Sequence, residues 1–190
     1  MKELVQTIAT LDEWQQIAFG AAMVSRMYPN FALFCEVVEN EDSHLFTNML
    51  NLVWEYASGD NLTIDFQKQQ DKLEIVTPDP EQFDIYGVRP ALDAVVGLSS
   101  LLSACQRFDA GEIHSLILLS QSTIEHYLIA SGNEMAAEEV ALLVADNECA
   151  KEVIHLLSAS YADGRNKTVK ALKQWVARLE ESNIGLAIST

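Results

Sequence analysis

An all-α fold is predicted, on three observations. Apolar residues recur at helical spacing through most of the chain, and no stretch sustains the two-residue alternation of a strand. Glycine (8) and proline (4) are scarce among 190 residues, which favours long regular elements over a turn-rich sheet. The stretch Ala91 to Cys105 carries one charge, Asp93, and its apolar positions run all the way round a helix, the pattern of an element covered on every side. The expectation is a single domain, residues 1–190: a bundle of about seven or eight helices around a buried central helix near residues 90–106.

The elements follow in order. Thr10 and Glu13 have the spacing of a capping box, and the helix after them puts Trp14, Ile17, Ala18, Ala21 and Ala22 on one face. It is expected to stop at Tyr28, because Pro29 disfavours helical geometry in the residue before it. Asn30 then caps a short helix over 31–39, and a polar loop, Glu39 to Ser43, leads to a third helix opened by Asp42 or Ser43. That helix carries Leu45, Phe46, Met49, Leu50, Val53 and Trp54 inward, and Gly59 suits its stop. Residues 65–76 make a polar surface helix, and Pro78 and Pro80 break the chain before Pro90 opens the central helix.

Asp109 and Glu112 have the spacing of a second capping box, ahead of a helix with Ile113, Leu116, Ile117, Ser120, Ile124, Tyr127 and Leu128 on one face; Gly132 and Asn133 end it. Two more helices, 134–145 and 147–161, are separated around Asp146 and Asn147. The last helix carries Val169, Leu172, Trp175, Val176 and Leu179, and the tail from Ser182 is apolar enough to dock back on the body.

The net charge of −16 argues against nucleic-acid and anionic-membrane binding, since both need a basic face. It would draw basic partners in. The charge is uneven: residues 1–150 hold 6 basic and 24 acidic residues, residues 151–190 hold 6 basic and 4 acidic. The plain reading is a last helix packed on an acidic body; the other is a basic patch for an acidic partner. Cys35, Cys105 and Cys149 are isolated and odd in number, a poor disulfide framework, and are read as reduced thiols in the cytoplasm. No signal peptide or membrane span is expected.

No catalytic residue, metal ligand set or cofactor is expected. Glu152 and His155 share a helical face, and Glu41 and His44 have the same spacing, but Glu41 falls in a loop. A di-iron carboxylate site needs two such pairs on helices plus two further glutamates. Nucleophile elbows and phosphate-binding glycine loops are missing. The polar residues that invite a site are Arg26, Tyr28 and Asn30 at one helix junction, with Asp84, Tyr86, Arg89 and Asp93 at another. Asp93 is the most informative of them. A carboxylate in an apolar helix must pair or protonate if buried, and Arg89 or Arg26 is its expected partner.

Arg26-Met27-Tyr28-Pro29-Asn30-Phe31 with Phe34-Cys35, Leu52-Val53-Trp54-Glu55, Phe83 through Ala94, and Glu181-Ser182-Asn183-Ile184-Gly185 stand in one order along the chain. Together they resemble the YjaG-like bacterial family of domains of unknown function. The resemblance spans about residues 10 to 186 and carries no quotable motif over about 134–165. It implies an all-α bacterial cytoplasmic protein with no established activity, so it carries over no catalytic residue. The resemblance also implies a link to histidine-kinase signalling, suggested for the family from gene neighbourhood.

Two functional readings stand. One is a non-catalytic protein-interaction or adaptor module, signalling-associated, with a protein partner. The other is a small-ligand-binding protein or cryptic enzyme whose pocket lies where residues 26–30 meet residues 84–93.

Overall fold

The computed structural model describes residues 2–40, 42–60, 63–132 and 137–187. Eight α-helices lie among them: α1 (Lys2–Ile8), α2 (Glu13–Val37), α3 (Ser43–Ser58), α4 (Phe66–Ile75), α5 (Val88–Gln106), α6 (Ala110–Ala130), α7 (Ala137–Ala159) and α8 (Arg165–Val176). A 3-10 turn, Tyr161–Asp163, precedes α8. The expected helix stop at Asn133, Glu41 of the loop before α3 and the last three residues of the tail lie outside the described residues.

The first two helices divide differently from the expectation. Thr10 does not cap α2; its hydroxyl donates to the Thr7 carbonyl at 2.7 Å, just past the end of α1. Leu4 and Ile8 of α1 are buried. The N-cap of α2 is Asp12, whose backbone N–H donates to the Gln15 side-chain oxygen at 2.9 Å. The helix then runs 25 residues straight through Pro29. A proline inside a helix loses one hydrogen bond and costs about 3 kcal/mol. Burial on both sides of it offsets that. Met27 and Phe31 are fully covered, Phe31 lies 5.3 Å from Phe46 of α3, and Phe34 meets Phe83 edge-on at 5.1 Å. Pro29 itself is half-buried.

The other end signals hold more closely. Asp65 caps α4, accepting from the Lys68 N–H at 3.0 Å, and Asp109 caps α6, accepting from the Gly111 N–H at 2.8 Å. Gly59 ends α3 in the left-handed region at φ +83°. Arg165 completes that end: Nε donates to the Ala57 carbonyl at 2.8 Å and Nη2 to the Tyr56 carbonyl at 2.7 Å. This basic side chain of the C-terminal segment is therefore spent on the body. The expected break at Asp146 and Asn147 does not occur; α7 is continuous across them.

α5 is the core helix anticipated from its composition. Ala91, Ala94, Leu98, Leu101, Leu102 and Ala104 have no exposed surface. Among the described residues it is the one helix long and apolar enough to cross a bilayer, and 61% of that stretch is buried inside the fold. It shares the centre with α2, which packs on α3, α5, α6, α7 and α8. α5 also has a partly open side, along Asp93 and Val96. A second, small apolar cluster holds the tail: Ile184 packs with Ile124 and Leu128 of α6 and Leu142 and Leu143 of α7.

Gly20 marks the tightest crossing. A Cβ there would stand 2.8 Å from Leu101 Cδ1 and 3.0 Å from Leu116 Cδ1, so α2, α5 and α6 meet with no room for a side chain. At Gly97 the nearest atoms are 3.4 to 3.6 Å away, an ordinary contact. Gly20→Val is expected to lose ~2–3 kcal/mol in urea unfolding through overpacking. Gly97→Ala is expected to be neutral or to gain up to about 1 kcal/mol from helix propensity.

Candidate functional site

The longest polar chain in the interior starts at Arg26 on α2. Its guanidinium is ion-paired with Asp146 of α7, their side chains 8% and 1% exposed. The Ser120 hydroxyl of α6 donates to the same carboxylate oxygen at 3.0 Å. Asn183 of the tail donates from Nδ2 to Ser120 Oγ at 3.1 Å. Asn30, one turn past Arg26, donates from Nδ2 to Asn183 Oδ1 at 2.9 Å. Three helices and the tail are thereby tied through side chains that are almost wholly buried. Burial pushes the Asp146 carboxyl above the ordinary carboxylate range; the Arg26 guanidinium and the Ser120 hydroxyl act against that rise.

Because α2 continues through Pro29, Asn30, Leu33, Phe34 and Val37 stay in phase with Arg26, at offsets of 4, 7, 8 and 11 along one helical face. Beyond the ion pair this stripe becomes the wall of an apolar pocket of about 240 Å³. Ile85 and Tyr86 close it from the turn before α5, Pro90 from the first turn of α5, Tyr127 from α6, and Ile184 and Leu186 from the tail. Leu33, Val37, Ile85 and Tyr86 keep between 37% and 61% of their surface exposed. The Tyr86 and Tyr127 rings lie 5.7 Å apart. Asn30, which also lines the pocket, has its Oδ1 buried without a hydrogen-bond partner.

One helical turn from this pocket stands a partly buried carboxylate. Asp93 follows Pro90 by three residues on α5, and Thr123 precedes Tyr127 by four on α6, so the two form the next layer between the helices. The Thr123 hydroxyl lies 2.8 Å from Asp93 Oδ2 and 2.8 Å from the Leu119 carbonyl. A hydroxyl has one proton to donate, so Asp93 receives at most a share of it. Burial raises the Asp93 carboxyl above its ordinary value; Thr123, His126 and Arg89 oppose the rise. The Tyr86 phenol is pushed up to about 12, by burial first and then by Tyr127 and Asp93.

The anticipated residues thus separate. Asn30 and Tyr86 line one pocket, and Asp93 sits a turn away with Arg89 near it. Asp84 is exposed beside Ile85 in the chain. Arg26 is not the partner of Asp93; it is consumed by Asp146. Tyr28 points elsewhere, packing 5.3 Å from Phe46 and lining a groove with Pro29 and Trp54. Sequence reasoning put Ser120 and Tyr127 on the common face of α6 without marking them as site residues, and it missed the roles of Asp146 and Asn183 and the pocket walls Leu33, Val37 and Leu186. One signal was present: Asp146 follows Leu142, Leu143, Val144 and Ala145, an apolar run in which a carboxylate is more economically read as a buried pair than as a helix break. Burial also holds the Cys35 thiol up at about 11 and Cys105 at about 12, well away from nucleophilic thiolates.

Removing one partner of a buried pair strands the other charge, at a cost of about 3–5 kcal/mol. Asp146→Ala is expected to destabilise by that amount in urea unfolding. The double variant Arg26→Met, Asp146→Leu is expected to recover most of it, because both charges then leave the interior. Asp93 has the opposite sign. Its folded-state pKa lies above the unfolded value, so its ionised form opposes folding, and that handicap disappears as pH falls below the unfolded pKa of about 4. Asp93→Asn is expected to be the more stable chain at pH 7, with the advantage shrinking to nothing in thermal unfolding below about pH 4.

The fold recurs in a solved structure. The crystal structure of a DUF416 family protein from Shewanella baltica superposes with a TM-score of 0.85 at 28% identity, covering 97% of this chain and 98% of that one. The uncharacterized protein YjaG of Salmonella typhimurium is 31% identical over 183 residues, 93% of this chain and 92% of its own length. The Escherichia coli K12 protein of the same name is 30% identical over 183 residues. These relatives agree with the resemblance carried by the four sequence motifs. Residues 3–187 match the family described as a protein of unknown function, DUF416, and the chain belongs to that family.

Proposed function

We propose that this protein is a non-catalytic interaction module that docks a basic segment of a partner protein, seating one apolar side chain of that segment in the pocket beside Tyr86. The observation that carries this reading is the convergence of Leu33, Val37, Ile85 and Tyr86, four large exposed side chains, on one cavity. Single exposed hydrophobics are ordinary; several around one concavity mark a contact surface. The size favours a side chain over a free metabolite. At about 240 Å³ the pocket falls below the roughly 300–1,000 Å³ of small-molecule sites and suits one or two anchoring groups.

Charge supplies the sign of the partner. Val37 is preceded in the chain by Glu36 and Ile85 by Asp84, both exposed, on a molecule with a net charge of −16. A basic segment would be steered to this rim. Catalysis has little support: the pocket walls are apolar apart from Asn30 and the tyrosine hydroxyls, and the Tyr86 phenol is held protonated.

Fluorescence anisotropy with a labelled amphipathic peptide, leucines on one face and lysines on the other, tests the reading. Its mirror in charge, with glutamates for lysines, is the control. The lysine peptide is expected to bind and the glutamate peptide not. Val37→Glu and Ile85→Glu are expected to weaken binding about tenfold or more, whereas Ile75→Glu on α4 leaves it intact. Each substitution adds a negative charge, so attraction by charge alone would strengthen binding instead; that outcome overturns the pocket as the anchor. No peptide binding, combined with thermal stabilisation by a small apolar fragment bearing an N–H donor, would replace this reading with a small-ligand site. The unpartnered Asn30 Oδ1 favours that second occupant.

A further inference from the structure

We propose that Asp93 is the acceptor for a lysine or arginine of the docked segment, so that the site reads an apolar residue and a cation one helical turn apart. This rests on the docking reading above and names the chemistry of the partner more closely. The Asp93–Thr123 layer adjoins the pocket wall: it lies one turn along both α5 and α6 from Pro90 and Tyr127, a displacement of about 5 Å. Tyr86 joins the two places, because its ring lies against Tyr127 while Asp93 bears on its phenol.

Asp93 is also short of partners. Among the described residues the ion pairs are Arg26–Asp146 and Lys151–Glu148. Arg89 of its own helix and His126 of α6 pull on its titration, but neither forms an ion pair with it among the described residues. What it has is a share of one Thr123 proton. A half-buried carboxylate left this way gains from a cation delivered from outside, since a charge-assisted hydrogen bond there is stronger than one in open water. A lysine suits the path: its four-carbon stem can lie over the Tyr86 ring while the ammonium reaches the carboxylate. In a helical partner the anchor and the cation would be three or four residues apart.

The test uses two peptides identical except at one position four residues from the leucine anchor, lysine in one and norleucine in the other. Each is titrated into the native chain, Asp93→Asn and the charge control Glu125→Gln. The lysine peptide is expected to bind the native chain about tenfold more tightly than the norleucine peptide, the scale of one charge-assisted hydrogen bond. Asp93→Asn is expected to erase that difference while leaving the norleucine peptide unchanged, and Glu125→Gln to preserve it. A difference that survives Asp93→Asn overturns the assignment. On the native chain, the Thr123 methyl resonance is expected to move with the lysine peptide and not with norleucine; equal movement overturns it too, whatever the variant's stability. If both peptides bind equally and both depend on Val37, Asp93 alone is misassigned. If neither binds, the docking reading falls and takes this one with it.

Discussion

A charge pair removed from water organises this fold. Arg26 and Asp146 cannot be left apart inside the bundle, because either one alone carries several kcal/mol of unpaid desolvation. Their meeting sets the rotation of α2 against α7. It also demands further polar company, which comes as Ser120 from α6, then Asn183 from the tail, then Asn30 from the next turn of α2. A pair of this kind contributes little net stability over well-packed apolar groups. Its effect is discrimination: another helix register strands a charge, whereas an apolar seam would tolerate a slip.

The pocket is a consequence of that registration. With Arg26 turned inward, the same face of α2 carries Asn30, Leu33, Phe34 and Val37 outward past the end of the ion pair. The tail, held by Asn183 and by the Ile184 cluster, lays Leu186 across the far side. Core polar network and apolar rim are therefore one construction, sharing Asn30 and the segment 182–186. Gly20 sets the other limit, since it allows the close approach of α5 and α6 to α2 at that point.

The rim around Tyr86 gathers four exposed large side chains on one pocket. Most large side chains of α2 and α5 are covered, with Val96 of α5 an exception at 42% exposure; at the rim, surface that would gain about 25 cal/mol per Å² on burial is left in water. Asp93 sits beside it as a carboxylate whose ionised form opposes folding. Features that cost stability in the same place are more easily understood as a contact surface than as packing. The family is described as one of unknown function; on the reading proposed above, the apolar lining serves recognition.

Local signals were readable where the chain meets water or needs a special backbone angle. Asp109, Gly59 and Pro90 each announced a helix end, because caps and left-handed turns depend on a few adjacent residues. The apolar run of 91–105 announced a core helix for a similarly local reason. Asp93, Asn30 and Tyr86 could be singled out as polar groups at helix junctions. Tertiary contact decided the rest. Pro29 and Asp146 both read as breaks and both lie inside continuous helices, since a local penalty of a few kcal/mol yields to the burial of Phe31 and Phe34 in one case and to a charge 120 positions away in the chain in the other. No local rule pairs residue 26 with residue 146, or lays residue 186 beside residue 33. Helix identity is a property of short windows, whereas the site exists only once α2, α5, α6 and the tail have been brought together.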